Sequence, residues 1–433
     1  MFYIKNILNR NKINKFAIPC WQFIKAQRES LKTTKFLSKQ QNKKAKIKVV
    51  FIIYFTEAFS SFKYLYELLK QDKRFSVSLL CQPSLNGGGL STSEKFSINK
   101  INDSYDFLKK QYPDAINAYK NSEWFDLESC LPDYVFYTRP YNPDYYEKYR
   151  ASVVRKYAKV CYITYSYNLE NRRDHNFNFV NNFDFLQNCA FIFSSTNYEK
   201  TILKTRFFIS TITNSYPKIL FLGFPRFDLY SLRDKNTEKN KTFTILYTPR
   251  WTSQLKKANQ ASSFLKYIDY FYNYAEKNPD CNIIIRPHPL MFSHFIDNKI
   301  VEKDYFEKLE HKFKILGNIC FDKEKGYLES LYKADVFVSD YTSLLAEYFI
   351  TGKPTIYLGN LNLFNHDTKK MCSTFFIADS WNKIETYLKM IKTKAFFSKK
   401  NKILYNQIFP KIIKNYGNAS NSIRNFILKD YSK

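Results

Sequence analysis

The feature that most constrains this chain is the order of one stretch, Val338 to Leu358, VSDYTSLLAEYFITGKPTIYL. It is entered through the β-rich run KADVFV, carries LLAEYFI with apolar residues at helical spacing, and leaves through a second β-rich run, PTIYL. That is strand, turn, helix, turn, strand, the βαβ unit of parallel sheets covered by helices. The turn SDYTS then falls at the carboxyl edge of the sheet, where open α/β folds bind ligands and where helix N–H groups face an anion. Its hydroxyls suit either helix capping or a phosphate contact.

The same alternation runs through the rest of the chain. KIKVVFIIYF, SVSLLCQP, DYVFYTRPY, KVCYITYSY and CAFIFSS read as strands. TEAFSSFKYLYELLKQ, NPDYYEKYRASVVRKYA and STNYEKTILKTRF read as the helices between them. A polar stretch without apolar periodicity, LYSLRDKNTEKNKT, suits a linker, after which TFTILYTPRW, CNIIIRPHPLM and VFVSD are strands separated by QASSFLKYIDYFYNYAEKN and GYLESLYKA. The reading divides the chain into a basic arm (1–46), an N-terminal α/β domain (47–228), a linker (229–242), a C-terminal α/β domain (243–395) and C-terminal helices (396–433). Two such halves are the pattern of an enzyme with its site in a cleft between domains.

Composition limits the function classes. The chain has 433 residues, 45% hydrophobic and 18% aromatic, enough for two or three domains with real cores. A formal charge of +29 attracts anionic partners, although abundant Lys, Asn, Ile, Tyr and Phe also fit an AT-rich genome. The arm carries Lys5, Arg10, Lys12, Lys15, Lys25 and Arg28 against the single acid Glu29, with interleaved Phe2, Ile4, Ile7, Leu8, Ile13, Phe16 and Ile18. This suits an anionic bilayer surface, with a solvated helix as the competing reading. No run reaches the length of a membrane span and the N-terminus lacks the apolar core of a signal peptide, so the expected location is cytoplasmic, on the inner face of the cell membrane. Eight cysteines without a CxxC pair or a histidine at ligand spacing suggest reduced core residues and no metal site. The glycine loop NGGG at 86–89 is not followed by a dinucleotide or P-loop pattern and reads as a turn. No RRM, KH or helix-turn-helix signature supports a nucleic-acid partner.

Three turns, ILYTPRW, IIIRPHP and VSDYTS, each follow a β-rich run, and in a parallel sheet all three emerge at one edge. Two prolines stiffen RPHP, Arg286 offers a fork for phosphate oxygens, and His288 can stabilise or protonate a phosphate leaving group. A structural turn with a capped histidine is the alternative.

Together with the upstream LFLGFPRFD, these motifs resemble the CDP-glycerol glycerophosphotransferase family of teichoic-acid primases and polymerases, over residues 215–365. The resemblance implies a GT-B fold, two Rossmann-like domains facing a central cleft. It also implies transfer of glycerol phosphate, or a related polyol phosphate, from a CDP-linked donor to a hydroxyl of a membrane-bound lipid or polysaccharide acceptor in capsule, lipopolysaccharide or teichoic-acid-like polymer assembly. Under it, His288 is catalytic, and Arg286, His288, Ser339, Asp340, Thr342, Ser343, Arg226 and Arg250 hold the donor diphosphate. Glu347 and Pro249 serve the ribose and nucleotide, and no metal or cofactor is required. Two departures stand out. Family members carry a Trp-His-Gly-Thr-Pro stretch in the first domain, where this chain reads TYSYNLE, with His175 the only histidine of that half, and Arg250 stands where threonine is usual. A GT-B sugar transferase using a CMP- or UDP-linked donor is the competing class.

Overall fold

The computed structural model describes residues 24, 27, 28, 31–37, 45–85, 103–171, 183–231, 242–252, 261–324, 326–394 and 399–432. The chain forms two compact units, one of residues 1–167, 172–229 and 414–433, the other of residues 168–171 and 230–413. NGGG, His175, residues 1–23 of the arm and residues 232–241 of the expected linker lie outside the described residues.

The first unit is built on strands β1 (Ile47–Ile53), β2 (Phe75–Cys81), β3 (Ile116–Asn117), β6 (Tyr134–Tyr137), β7 (Lys159–Ile163), β8 (Phe191–Phe193) and β9 (Lys218–Leu220); a small antiparallel pair, β4 (Tyr119–Lys120) and β5 (Glu123–Trp124), intervenes in sequence. The main sheet has the order β3-β2-β1-β6-β7-β8-β9, with every pairing parallel. β1 reads IKVVFII and is buried along nearly its whole length, as a central parallel strand covered on both faces must be. The expected helix over NPDYYEKYRASVVRKYA is instead two 3-10 turns, Asn142–Asp144 and Glu147–Tyr149, and a short helix, Ala151–Val154. Tyrosine anchors explain the break. The Tyr145 hydroxyl donates to the Arg139 carbonyl at 2.8 Å and that of Tyr149 to the Phe125 carbonyl at 2.5 Å, which pins the backbone outside helical geometry.

The last helix, Ala419–Tyr431, returns to this unit. Asp228, fully buried at the start of the short helix Asp228–Ser231, accepts the Ala419 and Ser420 N–H groups at 3.1 and 2.7 Å and so caps the last helix from a segment distant in sequence. At its other end Asp430 accepts from Lys159 Nζ at 2.7 Å and from the Tyr134 hydroxyl at 2.8 Å. Gly223 (φ +96°) is required here, because a Cβ would lie 2.6 Å from the Lys414 carbonyl oxygen. In the arm, Thr33 and Leu37 are buried one turn apart, Thr33 donating to the Arg155 carbonyl and Gln27 to that of Tyr216.

The second unit has a six-stranded parallel sheet of β10 (Phe243–Thr248), β11 (Cys281–Ile285), β12 (Ile319–Phe321), β13 (Val336–Ser339), β14 (Thr355–Tyr357) and β15 (Phe376–Ile377), in the order β12-β11-β10-β13-β14-β15. Strand order reverses between β10 and β13, the switch point at which such sheets open a crevice. Helix Phe264–Lys277 buries Phe264, Tyr267, Ile268, Phe271, Tyr274 and Ala275, a stripe at helical spacing laid on the sheet. Among the described cysteines no disulfide forms, and Cys320, expected in the core, is exposed on the edge strand β12.

Candidate functional site

The turns after β10, β11 and β13 emerge together at the carboxyl edge of the second sheet. Asp340, the first residue beyond β13, ties two of its neighbours down. Its Oδ1 accepts the Arg250 N–H at 2.5 Å, and its Oδ2 accepts both the N–H and the hydroxyl of Ser263 at 2.7 Å. Burial pushes its pKa up to about 6, against these hydrogen bonds and the charge of Arg250, which pull it down. Ser339, fully buried, accepts from the Thr248 hydroxyl at 2.8 Å and donates to the Thr248 carbonyl at 2.7 Å. Both side chains therefore fasten the β10 and β13 turns to each other.

That fastening sets the surface above it. The Arg250 guanidinium lies 4.9 Å from the Tyr341 ring centroid and donates through Nε to Thr252 Oγ1 at 3.0 Å. Pro249 is buried. Trp251 brings its ring centroid within 6.0 Å of His288 and meets His294 edge-on at 5.1 Å. Residues that sequence reasoning passed over, Trp251, Tyr341 and His294, thus wall the site; the aromatic residues within ILYTPRW and SDYTS were the available signal for the first two, and no motif pointed to His294.

His288 is exposed, and its Nδ1 accepts the Leu290 N–H at 3.2 Å. That bond assigns the ring proton of the neutral imidazole to Nε2, which is then a donor. Crowding by the surrounding protein, then the positive charge of Arg250, push its pKa down to about 4, so the ring is neutral at pH 7. Thr342 accepts the Leu344 N–H at 3.3 Å as a local turn, and the Ser343 hydroxyl makes no hydrogen bond to a described residue.

Three expected residues have other commitments. Arg286 pairs with Asp322 at 2.6 Å and donates to the Glu324 carbonyl at 2.7 Å, a bridge between the ends of β11 and β12. Glu347 is only 2% exposed, and its Oε2 accepts the Tyr230 and Tyr327 hydroxyls at 2.7 and 2.6 Å. Arg226 belongs to the first unit, where it is buried and donates to the Tyr165 carbonyl at 3.0 Å. Lys353 bonds the Tyr332 and Ala334 carbonyls at 2.7 and 2.8 Å, a structural role. A separate surface hollow lined by Thr244, Asn282, Asn318 and Lys333 lies at the amino ends of the strands, opposite these turns.

Comparison with known families decides the kinship: the model described as CDP-glycerol:poly(glycerophosphate) glycerophosphotransferase matches residues 136–371, more than half of the chain. The chain belongs to this family. The match spans all three turns. Solved structures share the fold at low identity. A UDP-N-acetylglucosamine 2-epimerase aligns with a TM-score of 0.59 at 12% identity, covering 90% of this chain and 97% of that one. The wall teichoic acid polymerase TagF aligns at 0.55 and 16% identity, covering 94% and 98%. The UDP-GlcNAc 2-epimerase of Neisseria meningitidis bound to UDP-GlcNAc aligns at 0.55 and 14%, covering 89% and 100%. The fold of this glycerophosphotransferase family member is therefore GT-B, two Rossmann-like α/β units. No curated protein matches it by sequence.

Proposed function

We propose that this family member transfers glycerol phosphate, or a related polyol phosphate, from a CDP-linked donor to a hydroxyl of a membrane-bound acceptor in cell-surface polymer assembly. The observation that carries the reading is the clustering of Arg250, His288, Thr342 and Ser343 above the Asp340 tie at the switch point of the second sheet. In this reading the donor diphosphate lies over these turns. The acceptor hydroxyl oxygen forms a bond to the phosphorus bearing glycerol and gives up its proton to solvent, the bond from that phosphorus to the bridging oxygen breaks, and CMP leaves with the electron pair. His288 donates its Nε2 proton in a hydrogen bond to the phosphate oxygens, and Arg250 and the Ser343 hydroxyl add fixed positive charge and a donor where negative charge grows.

Under the same proposal the donor is bound without a metal ion, so a chelator leaves turnover unchanged. Ser339, Asp340 and Arg286 position the turns. Glu347 meets the ribose only if the nucleotide replaces one of its tyrosine partners. The cationic surface and the arm suit a peripheral place on the cytoplasmic face of the membrane. Among the described residues, no helix is long and apolar enough to cross it. The direct test is nucleotide discrimination: CDP stabilises the protein against heat more than UDP or GDP does, and replacing Thr342 and Ser343 with alanine removes the difference.

A further inference from the structure

Arg139 belongs to the first unit. It follows Thr138 at the carboxyl end of β6, next to the end of β1, and these two strands flank the point where the order of the first sheet reverses. The residue is 8% exposed. Its guanidinium carbon lies 5.6 Å from the Tyr54 ring centroid, 5.0 Å from Phe55, 5.1 Å from Tyr141 and 5.0 Å from Tyr165, walls supplied by the turns after β1, β6 and β7. Within this cage it makes no hydrogen bond and no ion pair to a described residue, and its Nε is fully enclosed without a partner.

A guanidinium in such a place is poorly served by structure alone. Aromatic faces attract the charge but accept few of its five N–H groups, and a buried charge is costly unless it is paired and hydrogen-bonded. The nearby acid does not fill the role. Asp144 accepts the Tyr54 hydroxyl at 2.6 Å and forms no ion pair with Arg139; burial raises its pKa, against that hydrogen bond and the more distant charge of Arg139. Two more unsatisfied polar atoms lie on the same edge. They are Asn142 Oδ1, three residues beyond Arg139, and Ser84 Oγ, two residues beyond Gln82, whose Nε2 holds the Asp144 carbonyl at 2.7 Å.

We propose that Arg139 and its aromatic cage form a recognition site in the first unit for a phosphorylated polyol, with the phosphate on the guanidinium fork and polyol hydroxyls on Asn142 and Ser84. A planar fork presents paired N–H groups to two phosphate oxygens, and ring faces pack against the C–H groups of a polyol. The site uses none of the residues placed around the donor. Failure of nucleotide discrimination in the second unit and failure here are therefore separate results.

The test is calorimetric titration of the full chain with glycerol 3-phosphate at about 0.15 M salt, where non-specific attraction is screened, with glycerol and sulfate as controls. Wild-type protein binds glycerol 3-phosphate in preference to both controls. Arg139→Met keeps or raises the melting temperature, because it replaces an unpaired buried charge with an apolar chain, and weakens binding by about tenfold or more. Arg139→Lys, read if the methionine variant does not fold, also weakens it, because an ammonium lacks the fork. Three results would each overturn the site: wild-type protein showing no preference over the controls, either variant binding as wild type does, or Arg139→Met folding with a lower melting temperature.

Discussion

Asp340 holds Arg250 by its main chain: Oδ1 accepts the Arg250 N–H at 2.5 Å, while the guanidinium lies over Tyr341. The acid in SDYTS is thus a brace that presents the arginine. Asp340→Asn sets an amide NH₂ against one of the two main-chain donors, Arg250 or Ser263, and loss of a buried acceptor costs about 1–3 kcal/mol. Urea unfolding at pH 7 measures it, and an unchanged midpoint would contradict the brace.

The same residue gives a pH dependence. Its folded pKa is raised from 3.8 to about 6 by burial, so between these values the folded protein keeps a proton that the unfolded chain has released. Its contribution to stability is fully present below about pH 4 and is lost as pH rises through about 6. Stability curves of wild type and Asp340→Asn across this range should therefore differ in slope, the variant lacking this fall. Parallel curves would show that Asp340 does not titrate there.

Glu347→Ala removes the acceptor shared by the Tyr230 and Tyr327 hydroxyls in a buried setting. The expected loss is about 1–3 kcal/mol for each hydroxyl left unpaired, seen as a lower melting temperature. An exposed helix-surface glutamate would give no measurable change.

His288→Ala separates chemistry from folding. The ring is exposed and its one hydrogen bond is local, so the melting temperature stays near that of wild type while turnover falls by about 10²–10⁴. Wild-type turnover by the variant would remove His288 from the reaction.

Deleting residues 1–23 tests the arm without touching Gln27, Thr33 or Leu37, which contact the first unit. Each basic residue close to an anionic surface adds roughly 1 kcal/mol, so co-sedimentation with anionic liposomes should drop while nucleotide binding stays the same. Equal retention would place the membrane contact elsewhere.

Both sheets were legible because their inner strands are short apolar runs: β10 and β11 lie inside the expected TFTILYTPRW and CNIIIRPHPLM, whose remaining residues form the turns. What the sequence hid is tertiary. β3 and β15 are two-residue strands with no pattern to detect, and the tyrosine-rich segment after β6 has helical spacing but is held open by hydroxyl bonds to carbonyls 6 and 24 residues away. In the site, the turns and His288 could be read from RPHP and SDYTS. The partners of Arg286, Asp340 and Glu347 could not, since Asp322, Ser263 and Tyr230 reach them from 36, 77 and 117 residues away. The cage of Arg139 is assembled from three separate turns, which no local motif announces.

The measurement closest to the central claim is thermal unfolding with CDP, UDP or GDP at about 0.15 M salt, where attraction between a +29 chain and any nucleotide is largely screened. A ligand that binds only the folded state adds about 2.7 kcal/mol at a hundredfold excess over its dissociation constant. The account predicts the largest upward shift with CDP, and loss of that advantage when Thr342 and Ser343 are both replaced by alanine. A larger shift with UDP would make this a sugar-nucleotide enzyme, and equal shifts with all three nucleotides would contradict a cytidine-specific donor site at these turns.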